Sequence, residues 1–285
     1  MEDICAQFGI TRQAHYQNLH RETNQKIANA LILEMVRQVR RNHPRMGSRK
    51  LLYKIQPMMA QEGLKMGRDR LFELLRVADL LVKRKKAFHQ TTQSGFRYAP
   101  NRLTGLVVAH CDQVWVCDIT YLELMGKEFA YLFLLMDLFS RYIVGWHVSP
   151  SLGTEGALVS LQKALSQTDP KNVMGLIHHS DHGVQYTNQV YSEELLAHGL
   201  LASMGAVGNC YDNIYAERVI GILKGEYSLK APFVDISQTN SVVEEVVYLY
   251  NADRPHLSLG YATPSDVYQG SMLEIPVLKF PAMVS

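Results

Sequence analysis

The 285-residue sequence predicts an α/β protein: an all-α front region, then a mixed sheet with helices on its faces. Three observations predict it. Apolar residues recur with helical spacing up to residue 82, then gather into short runs of strand length after residue 106. Charge divides at the same place, with 20 Lys and Arg against 8 Asp and Glu in residues 1 to 105, and 9 against 19 in residues 106 to 285. Three β-rich runs stand so close together that only an antiparallel meander connects them. A basic front half is the electrostatic footprint of a nucleic-acid binder, and an acidic back half suits carboxylates that hold cations.

In chain order, residues 1 to 25 read as a short helix, a turn at Gly9 and a second helix capped by Thr11, a helix-turn-helix-like segment whose Arg12 faces bases or phosphates. Residues 26 to 82 form a second helical DNA-binding region. Its first helix, from Ile27 to Arg41, repeats Ile27, Leu31, Met35 and Val39. Ser48 caps the next, with the stripe Leu51, Leu52, Ile55, Met58 and Met59, and Arg49 and Lys50 beside the cap. A break at Gly63 precedes a helix with Leu71, Leu74 and Leu75, with Arg68 and Arg70 at the start of this candidate recognition helix. Residues 83 to 105, opening on Lys83-Arg84-Lys85-Lys86, lack apolar periodicity and are assigned to a basic linker.

Residues 106 to 235 carry strands at Val114 to Leu124, Glu128 to Asp137 and Arg141 to Val148, then a helix from Thr154 to Ser166. A strand from Leu176 to Ser180, a helix near Ser192 to His198, a strand from Leu200 to Met204 and a helix from Asp212 through Glu226 complete the order βββαβαβα. That order is the ribonuclease-H-like one. Residues 236 to 285 are a C-terminal helical extension and tail, with the stripe Val242, Val243, Val246, Val247 and Tyr250 and a helix start at Thr263-Pro264.

Three acids stand out in this half. Asp118 lies mid-strand, with Val116 and Thr120 on its face; Asp181 ends a strand; Glu217 lies on a helix, with 35 residues between it and Asp181. Mg²⁺, with Mn²⁺ as substitute, prefers carboxylate oxygens, and two such ions activate the attacking oxygen and stabilise the leaving one in phosphoryl displacement. Lys224, seven residues past Glu217, shares its helix face and is placed to hold a phosphate, and Gly221 between them lets a nucleic-acid backbone approach. Asp137 reads as a turn residue pairing with Arg141 or as a group that supports the metal-binding acids without touching the ion. The crowded His178, His179 and His182 suit hydrogen bonding or phosphate contact better than a transition metal. Arg254 and His256 are read either as DNA contacts or as structural groups. Four cysteines without a CxxC pair point to a reducing cytoplasm, and the sequence has no membrane-length apolar stretch and no signal-peptide pattern.

Residues 106 to 265 resemble the integrase catalytic domain shared by retroviral integrases and bacterial insertion-sequence transposases. The carrying stretches are Trp115 to Tyr121, Phe139 to Trp146, His179 to Tyr186, Gly208 to Asn213, Glu217 with Leu223 to Glu226, and Tyr250 to His256. The whole chain resembles the second-frame transposase protein of the IS3 family. The resemblance implies DNA cleavage and 3′-hydroxyl strand transfer, with Asp118, Asp181 and Glu217 as the metal-binding triad and Lys224 on DNA. It also implies element ends and target DNA as partners, a homo-oligomer on DNA, and fusion or association with an upstream-frame protein. The chain departs from the family at Ile214, where a small residue is usual, and in Arg218-Val219-Ile220 after the glutamate. Two alternatives stay open at this point: a catalytically decayed copy acting as a DNA-binding regulator, and a ribonuclease-H-like nuclease without strand transfer.

Overall fold

The computed structural model describes residues 11–82, 99–205, 213–229, 232–270, 275 and 277–280, and the chain divides into two units, residues 1–85 and 86–285. The short helix expected before Gly9, residues 83–98 of the basic linker and most of the tail after residue 270 lie outside the described residues.

In the first unit the Thr11 hydroxyl accepts the Ala14 N–H at 3.1 Å and caps α1, Arg12–Asn42. No Gly or Pro interrupts this stretch, so the helix runs unbroken for 31 residues. The boundary expected at residue 25 therefore falls inside one helix; the polar stretch from Gln17 to Lys26 hides the continuity because solvated helical turns need no apolar repeat. Helices α2, Ser48–Gln61, and α3, Arg68–Val77, each begin directly after a glycine, so Ser48 is the first helical residue and Gly47 holds the cap position expected of it. The turn between them includes Gly63 at φ 65°. Ile32, Val36, Met46, Leu51, Ile55, Leu71 and Leu75 close the core of this unit. Arg40 leaves the basic surface, because its guanidinium donates to the Leu80 carbonyl at 2.6 Å. Arg12, Arg49, Arg68 and Arg70 are exposed and Lys50 is half-buried.

The second unit contains the expected βββαβαβα order as β1 (Val114–Glu123), β2 (Phe129–Asp137), β3 (Ile143–Ser149), α4 (Thr154–Gln167), β4 (Ile177–Ser180), α5 (Gln189–Ala197), β5 (Leu201–Met204) and α6 (Ile214–Glu226). The strands lie in the order β3-β2-β1-β4-β5. The meander pairs antiparallel, and β4 and β5 add in parallel beside β1, which makes the sheet mixed.

Alternation along β1 feeds two cores. Val114, Val116 and Leu122 pack with Ala216, Val219 and Leu223 of α6 and with Val243, Val246 and Tyr250 of α7, Ile236–Ala252. Trp115 and Cys117 pack on the other face with Ala157, Leu161 and Ala164 of α4 and Tyr191 and Leu195 of α5. A sheet covered on both sides needs continuous apolar strands, which is why β1 to β3 read as apolar runs. Helix α7 shares the first of these cores, so the residues expected to form an extension complete the sheet domain instead. Beyond it, Thr263 caps the helix Pro264–Tyr268 in a reciprocal capping box with Asp266.

Side chains occupy both sheet edges. Asn251 accepts from the Ile143 N–H at 2.9 Å and donates to the Ile143 carbonyl at 3.1 Å, as a neighbouring strand would, at the start of β3. At the opposite edge, Arg102 donates its backbone N–H to Ser203 Oγ at 2.9 Å and its side-chain Nε–H to the Ala202 carbonyl at 3.1 Å. No described helix is long and apolar enough to cross a membrane.

Gly145 lets α4 lie directly on β3: a Cβ there would run into the Ser160 carbonyl oxygen and lie 2.9 Å from Ala164 Cβ. Gly145→Ala is expected to cost about 1–3 kcal/mol through overpacking, read as a fall in the thermal unfolding midpoint. An unchanged midpoint would show that α4 can move outward freely.

Candidate active site

Strand register brings the first two acids together. β1 and β4 pair Val114 with Ile177, Trp115 with His178 and Val116 with His179. Continuing that offset sets Asp181, directly after β4, beside Asp118 on the neighbouring strand, about 5 Å away by the usual strand spacing. Both then lie on the sheet face covered by α6, since Val114, Val116 and Ile177 belong to the core that α6 closes. Glu217 sits in the first turn of α6, exposed, with its N–H donating to the Asn213 carbonyl at 3.2 Å.

Their electrostatics agree with this placement. Burial and then the charge on Asp181 push the Asp118 carboxyl up to about 7; Glu217 adds to the rise, while Lys224 and the Ile119 N–H, which donates to Oδ1 at 2.8 Å, oppose it. Burial raises Asp181 as well, against the Gly183 N–H donating to its Oδ1 at 3.0 Å. Glu217 is raised by burial and by Asp181. The three carboxylates thus repel one another across one site, a standing demand for positive charge. Among the described residues no three His, Cys, Asp or Glu side chains already form a group able to hold a metal ion. The donor set is nonetheless all oxygen and anionic, which fits Mg²⁺, an ion bound through one or two carboxylates and completed by water and substrate phosphate.

Other candidates fall elsewhere. Asp137 is buried and accepts from Ser140 N–H at 2.7 Å, Ser140 Oγ at 2.5 Å and the Asp112 N–H at 2.8 Å, a turn carboxylate as expected but without the Arg141 ion pair. Arg141 instead donates to the Leu138 carbonyl at 2.7 Å and stacks 4.4 Å above the Tyr215 ring at the start of α6. His178 meets the Tyr191 hydroxyl at 2.9 Å, and burial followed by His179 drops its pKa to about 3, which keeps it neutral. His179 Nδ1 meets Ser203 Oγ at 2.9 Å.

The family description "Integrase core domain" matches residues 109–210, and a second model of the same description matches residues 198–264. A transposase for insertion sequence element IS629 from Shigella sonnei is 31% identical over 92% of this chain and 89% of its own length. The chain belongs to the IS3-family insertion-sequence transposases. Transposase InsF for insertion sequence IS3A of Escherichia coli K12 is 36% identical over 54% of this transposase and 52% of its own length. A looser likeness links the transposase to the HTLV-2 integrase catalytic core domain in complex with magnesium, at 16% identity and a TM-score of 0.43, over 59% of this chain and 99% of that one.

One residue of the transposase escaped the sequence reading, and another stands between two readings there. Asn213, noted only as the end of a recognisable stretch, donates through Nδ2 to the Cys117 carbonyl at 3.0 Å, one residue before Asp118. Arg254, open to a DNA-contact reading, is 2% exposed and grips Glu226 of α6 through two hydrogen bonds of 2.8 and 2.9 Å, while its Nη1 lies 2.7 Å from His256 Nε2. That arrangement gives Arg254 a structural task. The shared stretch from Tyr250 to His256 was the available signal, but a pattern does not state which partner lies across the fold.

Proposed function

We propose that Asp118, Asp181 and Glu217 hold the divalent metal with which this transposase cuts DNA at the ends of its element and joins the freed 3′-hydroxyl to target DNA. The β1–β4 register carries this reading, because it sets two carboxylates of one sheet face side by side, where the charge on Asp181 opposes ionisation of Asp118. When bound, a pair of Mg²⁺ ions, or Mn²⁺ in their place, supplies Lewis-acid activation of the attacking oxygen and stabilises the leaving one. The chain's own part is to fix the carboxylates on rigid elements and to orient the phosphate. Lys224, half-buried two turns beyond Glu217, is suited to hold that phosphate. Gly221 is exposed and a Cβ there would meet no atom within 4 Å, so internal packing does not require the glycine. A helix-interior glycine costs about 1 kcal/mol relative to alanine, and close approach of DNA backbone explains keeping it.

The first unit reads as the module that positions DNA, through Arg12, Arg49, Lys50, Arg68 and Arg70. Copies assemble as a homo-oligomer on element ends and target DNA in the bacterial cytoplasm, with an upstream-frame protein as fusion or partner. Strand transfer of a 3′-hydroxyl oligonucleotide into plasmid DNA in Mg²⁺ or Mn²⁺, comparing wild type with Glu217→Gln, tests the reading. Joined products that fall at least about 100-fold in the variant support it. Equal joining in both removes Glu217 from the chemistry, and DNA binding without any cutting, in the fused form as well, marks a decayed copy.

A further inference from the structure

We infer that Asn213 is a positioning residue that fixes Glu217 of α6 against Asp118 of β1, and so sets how tightly the site binds a divalent cation. The inference rests on the metal-holding reading of the triad and adds to it the group that spaces two of its members.

Asn213 occupies the N-cap position of α6, where an asparagine side chain ordinarily accepts a hydrogen bond from the first turn and stabilises the helix. This one makes no such bond. Its side chain is turned to β1 instead, where Nδ2 donates to the Cys117 carbonyl at 3.0 Å. That orientation of the amide is fixed, because a carbonyl can only be met by the NH₂ end. Oδ1 is left buried and meets no donor among the described residues, which costs stability. The residue thus forgoes both the cap and an acceptor bond to keep a single donor on one carbonyl.

The position of that carbonyl explains the choice. Cys117 directly precedes Asp118, and the backbone carbonyl of Asn213 accepts the Glu217 N–H at 3.2 Å. One residue therefore touches the strand beside the first carboxylate and the turn that carries the third. Arg141, stacked on Tyr215, steadies the same turn. Without the amide, α6 remains a helix packed on the sheet through Ala216 and Val219, but it loses the hydrogen bond between its start and the carbonyl beside Asp118. Groups that orient metal ligands without touching the ion typically change metal affinity by about 10- to 100-fold when removed.

Asn213→Ser separates placement from helix stability, since serine caps a helix as well as asparagine does but is too short to reach the Cys117 carbonyl in the same way. Mn²⁺ binding to the full chain without DNA, followed by electron paramagnetic resonance, is measured for wild type, Asn213→Ser, Asn213→Ala and Glu217→Gln, alongside the thermal midpoint of each. The expected result is Mn²⁺ binding weakened about 10-fold or more in both Asn213 variants, with Asn213→Ser melting no lower than wild type. Asn213→Ser that binds Mn²⁺ like wild type while Glu217→Gln is weakened overturns the positioning role alone. Wild type and Glu217→Gln binding Mn²⁺ equally, or wild type binding none, overturns the metal reading and this inference with it.

Discussion

Asp118→Asn is expected to lower strand transfer by on the order of 10³-fold, the loss of about 4 kcal/mol of transition-state stabilisation, while making the metal-free protein more stable at pH 8. The two effects share a cause. Folding lifts the Asp118 carboxyl from its ordinary 3.8 to about 7, through burial first and the charge of Asp181 second. An acid whose pKa rises on folding stabilises the fold while protonated; that contribution is full below about pH 4 and is lost as the pH climbs through about 7. Asparagine has no proton to lose, so its stability lacks this slope. Allowing for the partial exposure of Asp118, the variant should gain about 1–2 kcal/mol over wild type at pH 8, a few degrees in thermal midpoint, and little at pH 4. Mg²⁺ at pH 8 should then raise the wild-type midpoint and leave the variant nearly unmoved. Melting curves at the two pH values, with and without Mg²⁺, decide the matter, and parallel curves would show that Asp118 carries no such burden.

Arg254→Ala is expected to be among the most damaging substitutions for stability. The guanidinium is almost fully enclosed and joins the end of α6 to the chain beyond α7 through its paired bonds to Glu226, and it lies 5.7 Å from the Tyr250 ring. Removing one member of a buried pair leaves the other carboxylate partly desolvated, at about 3–5 kcal/mol when burial is complete. With the Glu226 side chain 21% exposed, about 2–4 kcal/mol is expected, roughly 10 °C for a unit of this size. Arg254→Lys should fall between, keeping the charge but losing the fork. A group that met DNA phosphate would instead change the salt dependence of DNA binding. The expected pattern is a lowered midpoint with that dependence unchanged, and the reverse would return Arg254 to the DNA interface.

What the sequence discloses is what depends on near neighbours. The period-two pattern at Trp115 to Tyr121 places Asp118 on a face, and the βββαβαβα order follows from local runs and spacing. The continuity of α1 is less visible, because a solvated helix needs only the absence of Gly and Pro between Arg12 and Asn42. Long-range partners are not visible at all. The sequence assigns Asn213 no partner and leaves Arg254 between a DNA contact and a structural group, and each is decided by an atom many residues away: the Cys117 carbonyl for one, the Glu226 carboxylate for the other. Asp137 is legible in part: its bonds from Ser140 lie within the turn, whereas the expected Arg141 side chain turns elsewhere and the Asp112 N–H reaches it from outside the turn.

The occupied rims of the sheet bear on how the protein behaves at high concentration. With Asn251 imitating a neighbouring strand at Ile143 and the Arg102 side chain on the Ala202 carbonyl, an incoming strand from another copy finds these hydrogen-bonding positions taken. Unprotected edges are the common route to strand-swapped clumps and fibrils. Chains brought to high local concentration are thereby hindered from pairing sheet to sheet at these positions.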